Sequence, residues 1–234
     1  MEPILLPSKI RFVHGERPHE GVLTVEPCAQ GYGTTLGNAL RRVLLSSLSG
    51  AAVTAVKIKG AEHEFSTISH IKEDALEIIL NLKGLRLKLF SEEPVKLSLK
   101  VKGEKVVTAK DFAADAQVEI VNPDLTLATI TDPGATFEME IWVGLGRGYR
   151  TTEQRAKEKL ELGTIAIDAL YSPVLNVSYK VEATRVGEKT DFDKLILRVE
   201  TDGTLDPLDA VNQGVSILMD NITVLKDLTY TEES

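Results

Sequence analysis

The sequence predicts an α+β protein in which a discontinuous domain, an antiparallel sheet with two packed helices, carries an inserted, strand-rich second domain. Segments such as Val95–Val101 alternate apolar and polar residues, which is typical of strands with one wet face in antiparallel sheets. Three other segments have helical spacing instead. A strand and a helix come first, a strand-rich stretch follows, and two long strands and a helix come last. This order assigns residues 1–49 plus 173–234 to the discontinuous domain and residues 50–172 to the inserted one.

Strands make up most of the predicted elements. The clearest alternation predicts strands at 95–102, 137–143, 175–186 and 194–201. Weaker patterns predict strands at 22–26, 53–59, 85–90, 104–109, 118–121 and 125–130. The glycine cluster Gly144–Gly148 follows one of the clear strands, and it predicts a mobile loop rather than a nucleotide site.

The first predicted helix follows a glycine-rich loop. Its apolar positions have helical spacing and are Leu36, Ala39, Leu40, Val43, Leu44 and Leu48. Thr34 or Thr35 is expected as the N-cap and Gly50 as the stop. We expect Gly31 and Gly33 to allow tight turns and Gly37 to allow close helix packing.

The second helix is predicted from about Ile71 to Lys83, with Gly84 in a left-handed conformation after it. The third opens at Asp206-Pro207, a good N-cap followed by a residue that loses no hydrogen bond at the first helical position. Its apolar positions repeat at steps of three and four and are Leu208, Val211, Val215, Leu218, Ile222 and Leu225. Such a heptad seam packs either on the protein's own sheet or on a second copy of the same helix.

Composition excludes several classes of protein. The net charge of −8 argues against a free-standing nucleic-acid binder, which needs a basic face. The single Cys28 excludes an internal disulfide framework and a multi-cysteine metal site, and it favours a reducing compartment. The N-terminal apolar run stops at Pro7, and no window reaches the roughly 18 apolar residues of a membrane span. We therefore expect a cytoplasmic protein that makes no membrane contact.

No pattern of a nucleophile, a metal site or a cofactor site stands out, so we expect no catalytic residue, no metal and no cofactor. The four histidines lack zinc-ligand spacing, and the loop Gly31–Gly37 lacks the Lys-Ser/Thr pair of a P-loop. Arg41 and Arg42 lie in the middle of an otherwise apolar helix. Arginine beside apolar surface is a favoured interface anchor, and a solubilising pair is the alternative.

The segment Gly31–Ser47 closely resembles the signature helix of the bacterial RNA polymerase alpha subunit, in its amino-terminal domain. Further stretches resemble the same family and follow in its order. They are His63–Thr67, Glu73-Asp74, Glu77–Gly84, Val118–Pro123, Gly146–Tyr149, Tyr171–Val174, Val181-Glu182, Thr190–Leu195 and Thr201–Gly203. The resemblance covers nearly the whole chain, and the joint order of these motifs makes it specific.

The resemblance implies a homodimeric scaffold that nucleates assembly of bacterial RNA polymerase by binding the beta and beta prime subunits. It implies a non-catalytic subunit of a nucleotidyltransferase complex. The signature helix and the last helix would make the dimer, through Leu36, Leu40, Leu44, Leu208, Val211, Val215, Leu218, Ile222 and Leu225. The residues that resemble large-subunit contacts are Arg41, Arg42, Leu45, Lys83, Ser172, Pro173, Val174, Asp191, Asp193 and Lys194.

The family continues through a linker into a C-terminal domain that binds promoter DNA and regulators, whereas this sequence ends at Ser234. We therefore expect that domain to be absent from this chain, and we expect no direct sequence-specific DNA contact. The segment Thr151–Gly163 is highly charged and resembles the family least, so its contacts stay open.

Two alternatives remain at this point. An archaeal-type or organellar assembly subunit of the same superfamily is the first, although the sequence has no cysteine-rich insert and its inserted domain matches the bacterial one closely. A small-molecule enzyme that uses the loop at residues 31–37 is the second. A nucleotide-binding assay would separate that enzyme from a scaffold, which should bind no nucleotide.

Overall fold

The computed structural model describes residues 4–155, 160–187 and 189–227. Part of the charged segment Thr151–Gly163 lies outside the described residues. The terminal segment Thr231–Ser234 lies wholly outside them. The helices within the described residues are α1 (Tyr32–Ser46), α2 (Ala75–Lys83) and α3 (Pro207–Thr223). The strands of the same part of the chain are β1 (Lys9–His14), β2 (Glu20–Cys28), β3 (Ser49–Ile58), β4 (Leu87–Leu89), β5 (Val95–Lys102), β6 (Lys105–Thr108), β7 (Val118–Ile120), β8 (Thr126–Ile130), β9 (Thr136–Arg147), β10 (Tyr149–Arg150), β11 (Ile165–Ala166), β12 (Ala169–Leu170), β13 (Val174–Val186) and β14 (Lys189–Thr201).

The chain divides into two compact units, of which the first is Met1–Leu48 together with Pro173–Ser234 and the second is Ser49–Ser172. The first unit contains an antiparallel sheet in the order β1-β2-β14-β13. In this sheet β2 pairs with β14 from Cys28↔Asp193 to Glu20↔Glu200. The strand predicted at 22–26 therefore shares one sheet with both of the long strands predicted near the end of the chain.

The edge strand β1 was not predicted from the sequence. Five of its six residues are exposed, so no alternation of buried and exposed positions marks it. Phe12 alone is half-buried, and its ring lies so close to Gly21 of β2 that a Cβ there would come within 2.2 Å of the Phe12 Cζ. The strand is thus identified by backbone pairing rather than by burial.

Small residues set the packing of α1 and α3 in the first unit. A Cβ on Gly37 of α1 would come within 2.6 Å of Tyr179 Cδ2 and 2.9 Å of Leu195 Cδ1. A Cβ on Gly214 of α3 would come within 2.9 Å of the Leu44 Cδ2. The close helix packing predicted for Gly37 is confirmed.

The ends of α1 differ from the prediction, whereas the start of α3 agrees with it. α1 begins at Tyr32, before Thr34 and Thr35, because Gly31 provides the N-cap with a left-handed φ of 84°. Gly50 does not stop the helix, which ends at Ser46; Gly50 lies in β3 instead. α3 begins as predicted, because the Asp206 carboxylate accepts a hydrogen bond from the Leu208 N–H at 2.8 Å.

The second unit contains a sheet in the order β11-β3-β9-β5 and the strand pairs β4–β7, β6–β8 and β10–β12. Strand β5 alternates buried and exposed residues over its whole length, as its sequence predicts. The core of this unit collects the apolar face of the sheet and the buried face of α2, which includes Ile78, Ile79 and Leu82. Each unit therefore has a hydrophobic core of its own.

α2 is shorter than predicted. It begins after Asp74, whose carboxylate accepts a hydrogen bond from the Glu77 N–H at 2.7 Å. The preceding residues are bonded to the β8 region instead: the Lys72 N–H donates to the Thr129 carbonyl, and the Glu73 carboxylate accepts from the Thr129 N–H. Gly84 has a right-handed φ of −79°, so the predicted left-handed position is wrong.

The glycine cluster Gly144–Gly148 is not the predicted loop along most of its length. β9 continues to Arg147 and stays paired with β3, with Gly50 opposite Gly146. The chain turns at Gly148, which has a φ of 62°, and then forms β10. The glycine at position 146 fits against an aromatic ring, since a Cβ there would come within 2.5 Å of the Tyr171 Cε2.

Candidate subunit interface

A carboxylate from a distant strand holds the glycine-rich loop at the start of α1. The Asp193 Oδ2 on β14 accepts hydrogen bonds from the Gly31 N–H at 2.9 Å and from the Gly33 N–H at 3.2 Å. N–H groups at a helix start have no partner within the helix, and the N-cap of α1 offers no side-chain bond of its own. Since Asp193 occupies these N–H groups, the loop does not present them to a phosphate, which weighs against the enzyme alternative.

Cys28 lies opposite Asp193 in the sheet. Burial, and secondly the charge of Asp193, raise the pKa of the Cys28 thiol. The thiolate is the nucleophilic form of cysteine, so this buried thiol is a core residue without the features of a reactive one.

Three exposed side chains form one face of α1. Arg41, Arg42 and Leu45 are all exposed, and Leu45 follows the two arginines by four and three residues, which places them side by side on a helix. Both guanidinium groups therefore flank an exposed leucine. This arrangement provides apolar contact area with charged hydrogen-bond donors at its border, as interface anchors do.

Several residues predicted to make the dimer belong instead to the core of their own unit. Leu44 has no exposed surface, and Leu40 and Val211 are also buried in the same cluster. Leu36 is half-buried and packs against that cluster. These side chains fill the space between α1, α3 and the sheet, whereas the dimer contact predicted for Leu40, Leu44 and Val211 stays a prediction.

The second half of α3 and the turn that follows it carry apolar side chains that are exposed or only partly buried. We call this set the α3 apolar row; it consists of Val215, Leu218, Met219, Ile222 and Leu225. Leu218 is half-buried and the others are exposed, with Ile222 at 57% and Met219 at 61%. Leu208, at the start of the helix, is exposed as well. A contiguous exposed apolar patch marks a surface that another molecule covers.

The predicted large-subunit contacts divide into accessible and inaccessible residues. Ser172, Pro173 and Val174 are buried, so they offer no surface to a partner. Asp193 is half-buried, and its carboxylate is bonded to the loop before α1, while its role as a contact stays a prediction. Asp191 is exposed and Lys194 is half-buried, so both remain accessible.

Lys83 belongs to a small polar network at the end of α2. Its Nζ lies 3.8 Å from the Asp168 Oδ2, which accepts a hydrogen bond from the Tyr149 O–H at 3.0 Å. The Asp168 Oδ1 accepts from the Thr152 N–H at 2.8 Å. The hydrogen bond from the Thr152 N–H is the largest cause of the lowered pKa of Asp168; burial opposes it, and the Tyr149 hydroxyl and the charge of Lys83 lower the pKa further. The bond to Asp168 raises the pKa of Tyr149.

Nowhere in the described ranges do three or more His, Cys, Asp or Glu side chains group as they would to hold a metal ion. Of the helices that the structure describes, none has the length and apolar character needed to cross a membrane.

Comparison with known proteins shows which family the chain belongs to. A protein from Alkaliphilus oremlandii, named DNA-directed RNA polymerase subunit alpha, is 49% identical over 209 residues, and one of the same name from Macrococcus caseolyticus is 48% identical over 209 residues. Residues 56–172, half of the chain, match the family model described as the RNA polymerase Rpb3/RpoA insert domain. The chain belongs to the RNA polymerase alpha-subunit family. The matches cover 89% of this chain and 66% of each relative, so the chain spans about two thirds of the relatives' length.

The matched region lies entirely within one unit of this alpha-subunit family member. Residues 56–172 fall inside Ser49–Ser172, and α1 and α3 lie outside the matched region. Because the two relatives cover 89% of the chain in addition to this region, the family resemblance drawn from the sequence motifs is confirmed.

Sequence reasoning missed three residues of the alpha-subunit surface. Met219 lies off the heptad positions and gave no signal, although it is among the most exposed apolar residues of α3. Tyr149 and Asp168 join Lys83 only in three dimensions, because the three residues come from separate segments. A search for tyrosine next to an otherwise polar turn would have found Tyr149 but not its partner.

Proposed function

We propose that this chain is a homodimeric, non-catalytic scaffold of bacterial DNA-directed RNA polymerase that nucleates assembly by binding the beta and beta prime subunits. The observation that supports this most is the α3 apolar row, which is exposed or only partly buried, in a relative of proteins named DNA-directed RNA polymerase subunit alpha. In this proposal the unit of Met1–Leu48 and Pro173–Ser234 is the dimerisation domain. The unit Ser49–Ser172 is the inserted domain.

A second copy of α3 is the partner we propose for the α3 apolar row. Each of its members lies three or four residues from another member, so the row follows one side of the helix and the turn after it. A two-fold interface brings the same patch from both copies together, so an apolar row meets an apolar row. Burying such side chains contributes about 25 cal/mol for each Å² of apolar surface removed from water.

The dimer is tested with Ile222→Glu and its matched control Gln213→Glu. Both changes add one negative charge to an exposed position of α3, and nine residues of helix place the two positions on opposite sides. We expect Ile222→Glu to yield monomers by light scattering and Gln213→Glu to remain dimeric, because an unpaired charge buried at the interface is strongly unfavourable. A wild-type chain that is monomeric at micromolar concentration would disprove the dimer.

Binding of the beta subunit is proposed to depend on Arg42. The guanidinium has five donors in a planar fork, and its stem covers apolar surface beside Leu45. Truncation of such an anchor often costs about 2 kcal/mol or more of binding energy, whereas Arg42 is exposed in the chain itself and contributes little to folding.

We expect Arg42→Ala to keep the fold and the dimer but to lose most beta binding in a pull-down at matched concentrations. Arg11→Ala, which removes an exposed arginine from β1, is the control and should bind beta normally. Undiminished beta binding by Arg42→Ala would refute the assignment. Loss of both the dimer and beta would instead show that Arg42 is structural.

A further inference from the structure

Four aspartates of the described chain close the same small turn on their own backbone. In each turn the Oδ1 accepts a hydrogen bond from the N–H two residues later, so the carboxyl group folds back over the residue in between. These bonds join Asp115 to the Gln117 N–H at 2.8 Å, Asp132 to the Gly134 N–H at 2.6 Å, Asp202 to the Thr204 N–H at 2.9 Å and Asp206 to the Leu208 N–H at 2.8 Å. The four turns therefore share one hydrogen bond and differ in the residue that they enclose.

The enclosed residue decides whether the turn can react with itself. It is Ala116 in the first turn, Gly203 in the third, and Pro133 and Pro207 in the other two. The backbone nitrogen after an aspartate can attack the carboxyl carbon, but proline has no N–H to lose, and the Cβ of alanine hinders the approach. Glycine has an N–H and no Cβ. Asp202-Gly203 is the single Asp-Gly pair of the sequence, which contains no Asn-Gly pair.

The surroundings of Asp202 favour this attack. The Oδ1 also accepts a hydrogen bond from the Thr204 hydroxyl at 2.5 Å, so two donors polarise the carboxyl group and hold it in place. Among the described residues none accepts a hydrogen bond from the Gly203 N–H. The attacking nitrogen is therefore not restrained by a bond of its own. All three residues of the turn are only partly buried, so water has access to them.

We propose that Asp202 is a site of spontaneous isoaspartate formation in the folded protein. The Gly203 nitrogen loses its proton and forms a bond to the Asp202 Cγ, while the hydroxyl of the carboxylic acid leaves with that proton as water. A water molecule then opens the five-membered imide. Cleavage between the nitrogen and Cγ restores aspartate, and cleavage between the nitrogen and the main-chain carbonyl carbon gives isoaspartate. The mass of the chain is unchanged, and no oxidant or reductant takes part.

Isoaspartate at this position alters the connection between β14 and α3. The main chain then runs through the Cβ and Cγ of residue 202 and is one atom longer. In the native turn the Asp202 N–H donates to the Pro173 carbonyl at 3.0 Å, and the Thr201 hydroxyl donates to the Leu205 carbonyl at 2.7 Å. The longer main chain loses the Asp202 side chain that binds Thr204, so the turn before α3 loses two of its hydrogen bonds.

The test ages the purified full chain at neutral pH and maps its peptides. A protease that cleaves before aspartate does not cleave before isoaspartate, and an isoaspartyl methyltransferase labels the carboxylate that isoaspartate exposes. We expect both methods to show isoaspartate accumulating at Asp202 and not at Asp115, Asp132 or Asp206, which are internal controls with the same turn. The proposal is overturned if residue 202 stays unmodified in the folded chain, or if Asp115 is modified to the same extent.

Two variants separate the chemistry from the turn. Asp202→Glu keeps the charge but would need a six-membered ring, so we expect loss of the label at residue 202. Thr204→Val removes the hydroxyl donor and keeps the N–H donor. We expect it to slow isoaspartate formation about fivefold, the factor that one typical hydrogen bond is worth. Circular dichroism checks the fold of each chain before ageing. A Thr204→Val chain that reacts as fast as the wild type, or faster, would overturn the role of the turn.

Discussion

One carboxylate, Asp193, connects the start of α1 to the sheet of its unit. The residue lies 162 positions after Gly31 in the chain, yet its Oδ2 accepts the N–H groups of Gly31 and Gly33. It therefore acts as an N-cap supplied from another strand, in place of the cap that α1 does not have in its own sequence.

Replacement of this cap should destabilise the protein. We expect Asp193→Ala to lower the free energy of unfolding by about 1–2 kcal/mol, since the loss of a helix cap typically has this effect. The measurement is urea denaturation followed by circular dichroism at a fixed protein concentration. Asp191→Ala, an exposed carboxylate two residues away, should change stability by less than about 0.5 kcal/mol. Equal effects of the two variants would contradict the role of Asp193.

Single residues were predictable where their partners are close in sequence. Asp206 caps α3 two residues away, and a pattern of Asp-Pro before an apolar row indicated it. The partners of Asp193 and of Asp168 lie on other segments, so no local pattern revealed their roles. Burial was hard to predict for the same reason. Leu44 and Ile222 both occupy apolar helical positions, yet Leu44 is buried and Ile222 is exposed, because burial depends on how α1 and α3 pack.

At the scale of elements, α1 packs closely on the sheet because Gly37 has no side chain. The space that a Cβ would need is occupied by the ring of Tyr179 and a methyl group of Leu195. A larger residue at this position would push the whole helix away from the strands, since interiors are closely packed and tolerate added volume poorly.

Gly37→Ala should therefore destabilise the protein although alanine is the better helix former. Overpacking typically costs about 1–3 kcal/mol, and the gain in helix propensity is only about 1 kcal/mol, so we expect a net loss of about 1 kcal/mol or more. The matched change Asn38→Ala, at an exposed position of the same helix, should raise stability by a few tenths of a kcal/mol. Thermal denaturation of both variants decides the sign, and a stabilising Gly37→Ala would disprove the close contact.

The sequence predicted the elements better than their ends. All ten strands expected from alternation are present, because period two follows directly from a sheet with one buried face. The heptad of α3 was ambiguous for a physical reason. Its first half packs in the core through Ala210 and Val211, whereas Val215, Met219 and Ile222 of its second half are exposed. The spacing of apolar residues is the same in both halves.

For the whole molecule, hydrogen bonds and ion pairs to carboxyl groups contribute to the response to acid. The pKa values of five carboxyl groups are lowered in the folded protein, and they are Glu20, Asp111, Glu138, Asp168 and Glu182. Hydrogen bonds from Lys100 and Lys59 lower the pKa of Glu138. Burial alone would raise the pKa of Asp111, but Lys105 and the Thr108 N–H reverse the shift.

These shifts predict a loss of stability in acid. Because the folded pKa values lie below the unfolded ones, the carboxylates contribute stability above about pH 4–5 and lose it as the pH falls through the folded values. We expect the urea midpoint to be nearly constant from pH 7 to pH 5 and to fall between about pH 4.5 and 3. Glu138→Gln should reduce this fall, whereas a midpoint that does not change down to pH 3 would contradict the ion pairs.

The pairing of β2 with β14 also bears on how the protein is made. A ribosome that adds ~5–20 residues per second reaches Asp193 roughly 8–32 s after Gly31, because 162 residues separate the two. The unit Ser49–Ser172 is synthesised in full during this interval. The nascent β2 has only β1 as a partner strand in this interval, and α1 must remain unaggregated without β13 and β14, although it carries leucines that are buried in the finished protein. A ribosome that pauses between Pro173 and Asp193 therefore holds a chain whose second unit is complete while its first unit still lacks the central pairing of its sheet.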